Sequence, residues 1–129
     1  MSQPKILIAE DSRAIARVLQ FKLKKSGFDA VIASDGRIAA DFIDQEEFDL
    51  LVTDYQMPQM HGEDLCRHVR QSEKNRDIPI LMCSAKSFEL DGEQLRNELG
   101  IFRVMLKPFS PKEVVAVIAE RLNAQSALV

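Results

Sequence analysis

Cysteine is scarce in this chain of 129 residues, which holds Cys66 and Cys83 and no others. Neither has CxxC spacing or a histidine at ligand spacing, so a metal finger and a disulfide framework are both excluded, and the pair reads as buried thiols. Long apolar runs are missing as well. None approaches the roughly 18 residues that a membrane span needs, and the start, "MSQPKILIAED", lacks the basic segment and apolar stretch of a secretion signal. A cytoplasmic, reducing location without membrane insertion is the expectation. Positive charge is not in excess: the formal net charge is −3, so nucleic acid is not a favoured direct partner. Arg13, Arg17, Lys22, Lys24 and Lys25 gather on a helical spacing and read as a solvated face. No Walker motif, Ser/Gly-rich linker or internal repeat interrupts the chain.

What remains is an ordinary globular composition, 46% hydrophobic and 29% charged, at a length that suits one domain. Five short apolar runs read as strands: "KILIA" (5–9), "AVIA" (30–33), "DLLVT" (49–53), "IPILMCS" (78–84) and "FRVML" (102–106). Their lack of clean alternation suits strands covered on both faces, with the weaker second and fifth nearer an edge. Between them lie segments of helical spacing. Ile15, Val18, Leu19 and Leu23 form an apolar stripe ending at Gly27; Asp35 and Gly36 open a segment carrying Ala39, Phe42 and Ile43; Leu65, Cys66 and Val69 follow Gly62. Ser110, Pro111 and Glu113 make a capping box ahead of Val114, Val117, Ile118 and Leu122. In the fourth segment Asp91 caps toward Gln94, with Leu95 and Leu99 behind, which leaves "KSFEL" as loop and the helix short. Fivefold strand–helix alternation implies right-handed crossovers and an α/β fold with a doubly wound parallel sheet.

In such sheets ligands bind outside the carboxyl ends of the strands, at the topological switch point. Glu10 and Asp11 follow the first strand, Asp54 closes the third, Ser84 closes the fourth, and Lys107 follows the fifth. Each alone has a plain structural reading, as a helix cap, a turn or an edge residue. Together, in the flavodoxin-like order 2-1-3-4-5, Glu10, Asp11 and Asp54 converge. Three such carboxylates raise one another's pKa values unless a cation neutralises them. An oxygen-only cluster selects a hard ion, and Mg²⁺ fits best, since it takes one or two protein carboxylates and a phosphate oxygen. Asp54 is then placed to attack phosphorus, Lys107 to pair with its carboxylate and then with the phosphoryl group, and Ser84 to offer a hydroxyl.

These residues, with the run "DYQMPQMHG" from Asp54, "SA" at Ser84–Ala85 and "KPF" at Lys107–Phe109, resemble the receiver domain of two-component response regulators, over about residues 5–122. The resemblance implies a (βα)5 fold in which Asp54 is the phosphoacceptor, Met57–Pro58 shapes the loop beside it, and Gln56 gives a backbone carbonyl to the metal. It implies a donor that is a sensor histidine kinase or a histidine phosphotransfer protein, and a downstream target protein. It also implies a signalling module rather than an enzyme of external turnover. A single receiver domain spanning 1–129 with no output domain, acting by docking as chemotaxis and phosphorelay receivers do, is the expected organisation. Lys86, two residues past Ser84, is expected to overhang and shield the acyl phosphate.

Where the family commonly has a switch aromatic, three residues before the lysine, this chain has Val104. Phe102 lies two residues earlier, on the same face of a regular strand, and reads as a packing residue. Switching is therefore expected through the loop after Ser84, which carries Phe88 and Leu90, and through the surface of the fourth helix, fifth strand and fifth helix. Three rival readings are weaker. A haloacid-dehalogenase-like phosphatase wants an Asp where Gln56 stands, an FMN carrier wants a phosphate loop where "AEDSRA" is acidic, and a receiver-like interaction module independent of phosphorylation needs none of the acidic and basic landmarks that are present.

Overall fold

The computed structural model describes residues 3–85 and 92–127. Five strands, β1 (Lys5–Ala9), β2 (Asp29–Ala33), β3 (Leu50–Asp54), β4 (Ile80–Ser84) and β5 (Ile101–Leu106), alternate with five helices, α1 (Arg13–Lys25), α2 (Gly36–Gln45), α3 (Gly62–Arg70), α4 (Gly92–Leu99) and α5 (Pro111–Ala127). The strands form one parallel sheet in the order β2-β1-β3-β4-β5. The sequence explains the order. The central β3 and β4, apolar without alternation, are buried at every position, whereas β2 and β5 leave residues exposed and stand at the two edges.

Side chains alternate across the sheet and divide the core in two. Leu7, Leu51, Ile80 and Met82 pack with Ala39 and Ile43 of α2, Leu65 and Val69 of α3 and Leu99 of α4. Ile6, Ile8, Val52 and Leu81 pack on the other side with Leu19 and Leu23 of α1 and Val114 and Ile118 of α5. Truncating one of these fully buried leucines to alanine costs about 3 kcal/mol.

The helix ends follow their sequence signals. Ser12 Oγ accepts from Ile15 N at 3.4 Å and Asp35 Oδ1 from Ile38 N at 2.8 Å, capping α1 and α2. Gly27, at φ +94°, ends α1 in a Schellman turn: Gly27 N donates to the Lys24 carbonyl at 3.2 Å and Phe28 N to that of Leu23 at 3.0 Å. The fourth helix is short, eight residues, as its weak pattern implies; Asp91 and "KSFEL" lie outside the described residues.

Two expectations fail locally. Val18 does not belong to the core stripe of α1: it is 42% exposed, and Ala16 takes the buried place beside Leu19. Phe102 does not share a face with Val104. The β4–β5 register shifts between Ile80↔Ile101 and Leu81↔Arg103, so that Phe102 is the extra residue of a bulge. Phe102 packs toward α5, under the Arg121 guanidinium at 5.1 Å, while Val104 packs toward the α2–α4 side. Phe102 is a packing residue, and the ring is on the wrong side of the sheet to stand in for Val104.

Candidate functional site

The register sets the site. Ala9 pairs with Thr53 and Cys83 with Asp54, so Glu10, one step past β1, stands level with the end of β3. Parallel strands bring their carboxyl ends to one edge, and the polar residues that stop the apolar runs meet there. Glu10, Asp11 and Asp54 each offer a carboxylate oxygen within 4.8 Å of the others. Glu10 and Asp54 are 5% and 8% exposed, and Asp11 is open to solvent.

Lys107 crosses from the other side. The peptide N–H of Lys107 donates to the Ser84 carbonyl at 2.7 Å, which extends the β4–β5 pairing by one step. Its ammonium then donates to Glu10 Oε1 at 2.9 Å and to Asp54 Oδ2 at 3.1 Å. The second Glu10 oxygen accepts from Ser12 N at 3.0 Å. Burial pushes the Glu10 carboxyl above its ordinary value, opposed by the Ser12 N–H and the Lys107 ammonium, while the charge of Asp54 adds to the rise. Burial also pulls Lys107 down, but its hydrogen bonds to Glu10 and Asp54 outweigh this and hold it above its ordinary value. The expected mutual repulsion is thus present at Glu10 and secondary to burial, and Lys107 is the internal cation that tempers it. Three carboxylates and one ammonium leave two net negative charges among oxygen donors, a set suited to a hard dication.

Ser84 ends β4 beside these groups and is 2% exposed. Gln56 lies exposed in the loop that follows Asp54, and Lys86 lies outside the described residues. Met57, 5% exposed, is sunk in the α2–α3 core and anchors that loop, while Pro58 faces solvent. Gly62 N closes the loop onto the Tyr55 carbonyl at 2.8 Å, and Gln59 takes a left-handed φ of +71° at its outer bend.

Two features of the site escape sequence reasoning. A Cβ on Gly62 would stand 2.2 Å from the Asp54 carbonyl oxygen, and one on Gly36 would stand 2.1 Å from that of Met60, so two glycines make the backbone approaches that shape the loop. A "DG" ahead of a helix signals a cap and says nothing of what faces it. The other feature is an apolar groove of about 580 Å³ beside the carboxylates, lined by Ala14, Ile15 and Val18 of α1, and by Lys107, Pro108 and Phe109. The exposure of Val18 belongs to this groove.

Cys83, next to Ser84, has its thiol pushed up to about 12 by burial and by the charge of Asp54, and Cys66 reaches about 12 by burial. No helix among the described residues is long and apolar enough to cross a membrane.

Solved structures share this architecture. The chemotaxis protein CheY4 of Vibrio cholerae matches at 26% identity and TM-score 0.84, over 92% of this chain and 98% of its own. A CheY-like receiver domain protein from Methanospirillum hungatei, at 23% identity, shares the fold with TM-score 0.88 over 99% of this chain and 100% of its own. So does the receiver domain of a Pseudomonas aeruginosa sensor histidine kinase, described with a magnesium ion coordinated in its active site cleft, at 23% identity and TM-score 0.79 over 92% of this chain and 97% of its own. The family model for the response regulator receiver domain matches residues 6–119, and with the fold and the strand-end residues in place the chain belongs to that family.

Proposed function

We propose that this chain accepts a phosphoryl group on Asp54, in a magnesium-dependent transfer from a phosphohistidine donor of a two-component or phosphorelay pathway, and that a protein partner reads the result. One observation carries the reading: the Lys107 ammonium lies between Glu10 and Asp54, at 2.9 and 3.1 Å, with Asp11 alongside. Glu10, Asp11 and Asp54 would hold Mg²⁺ together with the backbone carbonyl of Gln56, and the Pseudomonas relative is described with that ion coordinated in its active site cleft. When bound, the ion supplies positive charge to the phosphoryl oxygens.

The chain's own residues do the rest. An Asp54 carboxylate oxygen attacks phosphorus; the O–P bond forms as the N–P bond breaks, and the electrons of that bond return to the donor's imidazole. Lys107 exchanges its contact with the carboxylate for one with a phosphoryl oxygen, as a point charge. Ser84 donates its hydroxyl hydrogen to another oxygen. Asp54 and Ser84 are nearly buried, so the transfer proceeds with little competing water.

The donor, a sensor histidine kinase or a histidine phosphotransfer protein, is proposed to seat a helix in the groove beside Lys107. Its apolar lining suits a helix apolar on one side. The response is proposed to be read on α4, β5 and α5, with Val104 a passive filler. The chain assists its own phosphorylation and dephosphorylation without turning over an external substrate. A cytoplasmic setting belongs to the same proposal and suits the two free thiols.

Intact mass after incubation with acetyl phosphate and Mg²⁺ tests the reading. One added phosphoryl group is expected, absent with EDTA and absent in Asp54→Asn. An adduct of equal yield without metal, or one that survives Asp54→Asn, refutes the assignment. No adduct under any condition points to an interaction module that works without phosphorylation.

A further inference from the structure

We propose that Gly36, the first residue of α2, is a positioning residue for the metal-binding end of the Asp54 loop, so that the start of α2 and the ion are energetically coupled although α2 contributes no ligand. The inference rests on the magnesium-dependent reading above.

The geometry is a backbone-to-backbone approach across two elements. A Cβ on Gly36 would lie 2.1 Å from the carbonyl oxygen of Met60, 2.7 Å from its Cβ and 2.8 Å from its carbonyl carbon. All three atoms belong to one residue of the loop between Asp54 and α3, and a carbonyl cannot swing aside as a flexible side chain end does. Gly36 is buried and packed at that contact.

Which side yields to an added methyl is decided by how each is held. The far end of α2 is fixed: Asn75 Nδ2 donates to the carbonyls of Ile43 and Glu46, both at 2.8 Å, Lys74 Nζ donates to that of Gln45 at 3.1 Å, and His68 pairs with Asp44 at 2.8 Å. The flank of α2 is fixed too, by Ala39, Ala40 and Ile43 in the core. The loop is held at Met57 and at Gly62, and Met60 is half-buried against the same core with its N–H donating to the Pro58 carbonyl at 2.8 Å, but Pro58 and Gln59 face solvent, and Gln59 already occupies the left-handed region. The loop therefore moves. Gln56, whose carbonyl is the proposed ligand, directly precedes the Met57 anchor, so a displacement that reaches Met57 from Met60 reaches that carbonyl too, and Mg²⁺ demands near-ideal octahedral placement of its oxygens. Loss of an outer support of a metal site costs on the order of 10–100-fold in metal affinity.

By reciprocity, an ion that fixes the loop must also steady the start of α2.

Both directions are measurable, and the sequence provides a local probe. Tyr55 is the sole tyrosine and there is no tryptophan, so tyrosine emission, excited beyond the absorption of the seven phenylalanines, comes from the residue next to Asp54. Mg²⁺ titration followed at Tyr55 is expected to show Gly36→Ala binding at least tenfold more weakly than wild type. Gly27→Ala is the control: it strains a φ of +94° in open space, and it should lower the melting temperature without changing the Mg²⁺ affinity. The second arm uses the unaltered protein, so it does not depend on the variant folding. Hydrogen exchange at 38–40 should slow on adding Mg²⁺ alone, with 44–46 unchanged. A folded Gly36→Ala protein with wild-type Mg²⁺ affinity overturns the proposal. So does Mg²⁺ protection confined to residues 10–12 and 54–62. If the wild-type protein binds no Mg²⁺ by either measurement, the functional reading itself fails, and this inference with it.

Discussion

Replacing Lys107 by methionine keeps the apolar stem and removes the ammonium. Glu10 and Asp54, at 5% and 8% exposure, then face each other without the cation that stands 2.9 and 3.1 Å from them. Removing one partner from a buried charge pair costs 3–5 kcal/mol in general; the Lys107 side chain is one-fifth exposed, so the lower end applies, about 3 kcal/mol at pH 8. For a domain of this size that lowers Tm by on the order of 10 °C.

The pH dependence separates electrostatics from lost packing. Folding raises the Glu10 carboxyl above its ordinary value of 4.5, so its contribution to stability is complete below 4.5 and declines as pH rises through the raised value. Lys107, held above 10.5, gives its contribution throughout that range and loses it only in strong alkali. Without the ammonium, Glu10 rises further and the decline with pH steepens. Thermal melts of wild type and Lys107→Met at pH 5 and pH 8 should therefore show the larger gap at pH 8. Millimolar Mg²⁺ should recover more stability in the variant than in wild type, because it supplies the missing charge. An equal gap at both pH values, together with no extra recovery by Mg²⁺, refutes the electrostatic account.

Gln59→Gly relieves the φ of +71° and should raise stability by about 1 kcal/mol in urea denaturation, with phosphorylation yield unchanged. Asn75→Ala strands the Phe48 N–H, held at 2.7 Å, and two carbonyls, and should cost about 3 kcal/mol by the same assay. Both thiols, pushed up to about 12, should resist an aromatic disulfide reagent at pH 8 in the native protein and react on unfolding; a fast native phase contradicts their placement. Val104→Tyr should leave phosphorylation yield nearly unchanged if the position is passive, and a change in partner binding would mark it as a switch.

Much of the site could be read from the chain because chemistry and topology coincide. Glu10, Asp11, Asp54 and Lys107 are polar residues that end apolar runs, and in a parallel sheet all such ends meet at one edge. The edge strands were equally legible, since incomplete burial leaves its mark as polar residues in β2 and β5. Three things were hidden, each for a physical reason. Apolar periodicity marks a stripe but not its limits, so Val18 on the rim of the groove looks like Leu19 in the core. A polar run such as "SEKNRD" looks solvated, yet Asn75 within it is 1% exposed, because three backbone groups at the ends of α2 and β3 need its amide. The role of Gly36 depends on what stands opposite, and no single sequence states that.

The bulge at Phe102 makes the chain tolerant of a length change at one place and intolerant of it a few residues later. Downstream of the bulge, Arg103 to Leu106 pair in unbroken register with Leu81 to Ser84, and Lys107 follows from that pairing. Deleting Phe102 straightens the strand and leaves Lys107 where it is, at the cost of the ring packed under Arg121. A deletion between 103 and 106 that keeps the bulge inverts the parity of everything after it and turns Lys107 away from Glu10 and Asp54. A change of length in β5 is therefore cheapest at the bulge, just upstream of the segment whose register carries Lys107.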